Sequence, residues 1–142
     1  MEYNEIASVA GKGGLYKVVK PTRTGVILES LDNQKKKIVA NATQRISVLS
    51  DISIYTTDQE DSRSLVEVMH TIFEEFGEDP GIDSTSDSDE LKSFLKHVLP
   101  EYDEQRVYPS DIKKLVSWYK ILHREAPELL EQNDADASEA DQ

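Results

Sequence analysis

Short apolar runs broken by turn residues fill the first 57 positions, and an apolar repeat of three to four residues replaces them afterwards. The first pattern predicts strands over 15–20, 26–31, 36–40, 45–49 and 51–55. β-Branched and aromatic residues are concentrated there, and 21–25 and 32–34 have turn compositions. Ile46 and Val48, then Ile52 and Ile54, alternate with polar neighbours as half-buried strands do. Only a single turn around Ser50 separates the last two strands. Five short strands so spaced predict a small all-β barrel or sandwich, and the one-turn link favours an SH3-like barrel.

The second pattern predicts three helices. Over 62–77, Leu65, Met69, Ile72, Phe73 and Phe76 share one face, Asp61 or Ser62 suits the start, and Gly77 suits the end. Residues 78–88 have a loop composition. The next helix covers 89–99, with Leu91, Phe94, Leu95 and Val98 as its stripe, and Pro100 stops it. After a loop over 101–108, Ser110 is a good N-cap for a third helix, and Asp111 complements the helix dipole. Ile112, Leu115, Val116, Tyr119 and Leu122 form its apolar face. From 128 onward only Leu129 and Leu130 are strongly apolar. The expectation is an α+β protein: a β-barrel module over 1–57, an acidic hinge over 58–61, a helical module over 62–126 and a disordered acidic tail over 127–142.

Charge sharpens this division. The net charge of −12 over 142 residues is distributed as +3 over 1–57, −11 over 58–90, +2 over 91–125 and −6 over 126–142. The two folded parts are mildly basic, and the acid lies between and after them. Acid so placed repels nucleic acid and keeps the chain soluble. No cysteine is present, which excludes disulfides, thiolate catalysis and cysteine-held zinc. No apolar run reaches the roughly 20 residues that span a bilayer. The first residues lack the basic start and apolar stretch of a secretion signal, so the expected location is cytoplasmic.

Three stretches carry a resemblance: Ala10-Gly11-Lys12-Gly13-Gly14-Leu15-Tyr16-Lys17, then residues 50–56, then residues 106–119 from Arg106 through Tyr108 and Pro109 to Trp118 and Tyr119. In this order they resemble a family of small, uncharacterised bacterial proteins defined as a conserved domain of unknown function. The resemblance spans about residues 4–125. It implies the two-part layout, a β module followed by a helical one, and no activity.

Candidate chemistry is sparse. Gly11-Lys12-Gly13-Gly14 invites comparison with a phosphate loop, but its lysine comes too early, no Ser or Thr follows it, and a strand comes next. A turn between strands is the better reading. His70, His97 and His123 fall one to each helix. His70 and Glu74 have metal-ligand spacing, which surface residues also show. No serine sits in a nucleophile elbow, and no pocket for a shifted carboxylate is evident. The expectation is no enzyme, no cofactor and no metal.

Lys35, Lys36 and Lys37, with Lys12, Lys17, Lys20, Arg23 and Arg45, can form a basic face beside Tyr16 and Tyr55. A lysine-rich hairpin also serves to protect a sheet edge. Trp118 lies beside the apolar stripe of the third helix, either packed or exposed as an anchor, and Tyr108 lies near it in sequence. Residues 84–90 resemble an acidic phosphorylation substrate, and also a linker that caps the next helix. The expected function is non-catalytic binding, with protein partners ahead of nucleic acid held by the basic side of the barrel. The expected binding surface draws on Lys12, Lys35, Lys36, Lys37, Tyr108 and Trp118.

Overall fold

The computed structural model of the chain describes residues 2–41, 44–83 and 85–131. A 3₁₀ turn at Tyr3–Glu5 leads into β1 (Ile6–Val9), β2 (Tyr16–Pro21), β3 (Gly25–Ser30), β4 (Lys37–Asn41) and β5 (Ile46–Val48). These pair antiparallel in the order β4-β3-β2-β1-β5. A second 3₁₀ turn, Leu49–Asp51, leads to β6 (Ser53–Tyr55), which pairs with β7 (Ser62–Ser64) in a separate hairpin. Then follow α1 (Leu65–Phe76), α2 (Ser88–Val98), α3 (Pro109–Glu125) and α4 (Pro127–Glu131). Among the described residues, no helix is long and apolar enough to cross a membrane.

The α+β order is as expected, but the first sheet does not close into an SH3-like barrel. Closure would need β4 to meet β5 or β6, and no such pairing exists among the described residues. Two strands account for the difference. β1 inserts between β2 and β5, and β6 leaves the sheet after the 3₁₀ turn to pair with β7. The acidic stretch 58–61 forms the β6–β7 turn, where the Thr56 hydroxyl donates to Asp58 Oδ1 at 2.7 Å. That bond, and then the Arg63 guanidinium, hold the Asp58 carboxyl below the usual carboxylate range.

Among the described residues the helical part has four helices rather than three. Helix α1 begins at Leu65, later than expected, because 62–64 are strand. Its N-cap is Ser64, whose Oγ accepts from the Val66 N–H at 3.2 Å. Asp87 caps α2 reciprocally with Glu90, at 2.9 and 3.2 Å. Helix α3 starts one residue before Ser110. Pro109 takes the first helical position, which needs no N–H, and the Tyr108 N–H donates to Asp111 Oδ2 at 3.0 Å. Residues 127–131, expected as disordered tail, form α4. Both its leucines are buried, and the Tyr3 hydroxyl donates to the Leu129 carbonyl at 3.3 Å. Residues 132–142 of that expected tail lie outside the described residues.

The stripes read from the sequence are the ones that bury. Leu91, Phe94, Leu95 and Val98 of α2 and Ile112, Leu115, Val116, Tyr119 and Leu122 of α3 join a cluster with Leu65, Met69 and Ile72 of α1. Tyr3, Ile6, Leu15, Leu31 and Leu49 belong to the same cluster, so both parts of the chain share it. A second cluster of Val9, Leu28 and Ala40 lies within the sheet. Tyr119 ties α3 to the end of α1 by donating its hydroxyl to the Gly77 carbonyl, and burial pushes that hydroxyl up to about 12.

Candidate functional site

The β1–β2 turn carries glycines because two of its residues lie in the left-handed region, Gly11 at φ +84° and Gly14 at φ +79°. The Lys12 N–H closes the turn on the Val9 carbonyl at 3.0 Å, and the chain continues into a strand. This is a strand-to-strand turn, as read from the sequence.

The turn stands against α3 and encloses a cleft of about 490 Å³. Lys12 and the glycines line one side, Arg45 and Ser47 the next, and Lys113, Lys114, Ser117 and Trp118 of α3 the other. Spacing explains the α3 side, because positions 114 and 118 are one helical turn apart and share a face. Four cations border this cleft and no carboxylate does. Among the described residues, none of the four is in an ion pair. Like charges gathered without counter-charge favour an anionic ligand.

A second cleft, about 250 Å³, opens on the other side of Trp118. Its floor is Leu65, Leu95, Ile112 and Leu115, and its rim includes Ser53, Tyr55, Arg106 and Lys114. Arg106 fastens this rim. It donates to Asp61 Oδ1 at 2.7 Å, to Asp103 Oδ2 at 2.8 Å and to the Thr56 carbonyl at 3.1 Å. Its guanidinium lies 4.5 Å from the centre of the Tyr55 ring. Asp61 first and then Asp103 hold the guanidinium even more firmly protonated than an ordinary arginine. Ile52, Lys114 and Trp118 line both clefts, so the partly buried indole is a wall between an apolar slot and a cationic one.

The structure brings Lys12 and Trp118 to one cleft, together with Arg45. It also adds Lys113 and Lys114, which charge counting alone did not single out. Their positions four residues before Ser117 and Trp118 were the available signal. Lys35, Lys36 and Lys37 lie in the exposed β3–β4 turn and at the start of β4, outside both clefts. Tyr108 is 60% exposed at the head of α3 and lines neither cleft. The histidines pack against aromatic rings: His70 against Tyr3, His97 against Phe76, and His123 against Phe73 and Tyr119. Among the described residues, no group of three His, Asp or Glu side chains converges to hold a metal ion.

Two family models match the chain. The Domain of unknown function (DUF5606) matches residues 4–49, and the Domain of unknown function (DUF6852) matches residues 52–122. A protein from Bacteroides vulgatus, solved by solution NMR as a structural-genomics target, is 35% identical and superposes with a TM-score of 0.67. The match covers 88% of each chain. The chain belongs to this family. No curated protein matches it. The two matched regions meet at the 3₁₀ turn, and the cationic cleft draws on both: Lys12 and Arg45 from the first, Lys113, Lys114 and Trp118 from the second. That cleft exists only where both regions are folded together.

Proposed function

We propose that the protein is a non-catalytic binding protein that takes another protein as its partner, with Trp118 as the anchor of the contact face. The supporting observation is the position of Trp118 between an apolar cleft and a cationic one. A large aromatic flanked by an apolar slot and by cations that form no ion pair among the described residues combines the features of an interface hot spot. The cysteine-free composition suits a reducing cytoplasm, which is where we place this binding.

The test is quantitative capture from the native cytoplasm with the full chain, Trp118→Ala and Lys35→Glu/Lys36→Glu/Lys37→Glu side by side. Trp118→Ala is expected to weaken a specific capture by about 2 kcal/mol, the threshold of a hot spot. The triple lysine variant is expected to change it little. Equal capture by the wild-type chain and Trp118→Ala, with both melting alike, rules the anchor out.

The row of cations along the cleft supports a second reading, in which single-stranded nucleic acid follows Lys12, Arg45, Lys113 and Lys114 and stacks a base on Trp118. That reading requires affinity for a fluorescent oligonucleotide to fall steeply with added salt and to vanish in Lys113→Glu/Lys114→Glu. No binding at low salt excludes it.

A further inference from the structure

The pairing of β6 leaves half of its hydrogen-bonding capacity unused. In an antiparallel pair, successive residues turn their N–H and C=O groups alternately toward the partner and away from it. Ile52 accepts from the Leu65 N–H at 2.9 Å and the Thr56 N–H donates to the Asp61 carbonyl at 3.0 Å, so the even-numbered residues face β7. Ser53 and Tyr55 face the other way. The chain after α2 already occupies one end of that outer edge. Thr56 bridges Tyr102, and the Tyr55 carbonyl accepts from the Asp103 N–H at 2.9 Å. No backbone partner among the described residues takes the Ser53 N–H, the Ser53 carbonyl or the Tyr55 N–H.

Ser53 and Tyr55 are exposed, and both line the apolar cleft. β6 thus has a started third strand at one end and an empty place at the other. An apolar floor lies beneath that place, and Asp111 and Lys114 lie beside it, Lys114 in no ion pair among the described residues. Main-chain groups at a sheet edge recognise an extended backbone, and an adjoining pocket selects one side chain of it.

We propose that the outer edge of β6 takes up an extended peptide segment of the partner as an added strand. One apolar side chain of the segment seats against Leu95, Ile112 and Leu115, and an acidic residue follows it toward Lys114 and the cationic cleft. This deepens the protein-binding reading and rests on it. The acidic flank follows from charge complementarity with Lys12, Arg45, Lys113 and Lys114, which are in no ion pair among the described residues.

The test is a random-peptide phage library panned on the full chain, followed by NMR hydrogen exchange with the tightest selected peptide. The proposal expects selected peptides to carry an apolar residue followed by Asp or Glu. Exchange at the Ser53 and Tyr55 amides is expected to slow by about tenfold or more, while Ile54, already paired, changes little. Methylating alternate backbone nitrogens of the peptide is expected to weaken binding by about tenfold. Ser53→Pro removes an edge N–H that β7 does not use and is expected to weaken binding similarly. Peptides that depend on Trp118 but tolerate N-methylation and leave the Ser53 and Tyr55 amides unprotected would overturn strand addition and keep the anchor. A library yielding no peptide sensitive to Trp118→Ala would overturn both.

Discussion

The larger buried cluster gathers side chains from all four helices and from the ends of the sheet, whereas Val9, Leu28 and Ala40 form the smaller one within the sheet. The larger cluster has far more fully buried members, with partly buried residues such as Phe73, Phe76 and Trp118 packed around it. The smaller is ringed by Tyr16, Val18, Val26, Ile38 and Ile46, which keep partial contact with solvent. Val39 and Val19 stand nearby on the strands, 62% and 42% exposed. The helical stripes therefore provide most of the fold's apolar burial, and the sheet relies more on its ladder of hydrogen bonds and cross-strand pairs.

Paired truncations test this contrast most strongly. Leu122→Ala in the larger cluster is expected to cost 3–5 kcal/mol, about the upper half of the range for buried leucines. Leu28→Ala, equally inaccessible but beside neighbours that can collapse inward, is expected to cost about 2 kcal/mol. Equal losses in urea melts would break the comparison. Next in size is Gly25→Ala in β3. A Cβ there would lie 1.9 Å from the Ala40 carbonyl oxygen, so β3 and β4 must separate, at about 1–3 kcal/mol. The excess should appear as faster amide exchange confined to β3 and β4.

Smaller effects sharpen the picture. Tyr119→Phe leaves the Gly77 carbonyl without its partner and should cost about 1 kcal/mol at neutral pH. The hydroxyl's raised pKa makes this stabilisation pH-dependent. It is full below the ordinary tyrosine value near pH 10 and is lost as pH rises toward about 12, because the unfolded tyrosine ionises first. Wild-type stability should fall over that window, and the Tyr119→Phe chain should lack this part of the fall. Smallest of all, Val39→Thr should change stability by less than about 0.5 kcal/mol, since its side chain is largely in water.

Helix faces were legible because burial in α2 and α3 follows the 3.6-residue period with little outside help. Strand partners were not. β1 is buried at Ile6, Ala7 and Val9, so it shows no alternation, and nothing local announces it as an inner strand. β7 is Ser62-Arg63-Ser64, with no β-branched residue to mark it; its pairing is imposed by the turn at 58–61. Helix α4 has only two leucines of its own and depends on Tyr3, 126 positions away. The candidate site was visible in pieces. Trp118 and Lys12 stand out by residue type, but only folding brings the β1–β2 turn beside α3. The edge of β6 could not be read at all, because vacancy at an edge depends on which strand fails to arrive.

The Tyr3–Leu129 contact also has a bearing on synthesis. A ribosome releases the first strands long before it has made the segment that seals them. Until residues 127–131 emerge, Tyr3 and the far end of α3 lack their covering, and a growing chain must hold that apolar surface open or hand it to a chaperone. Completion of this fold therefore waits on the last helix described and not on the first sheet.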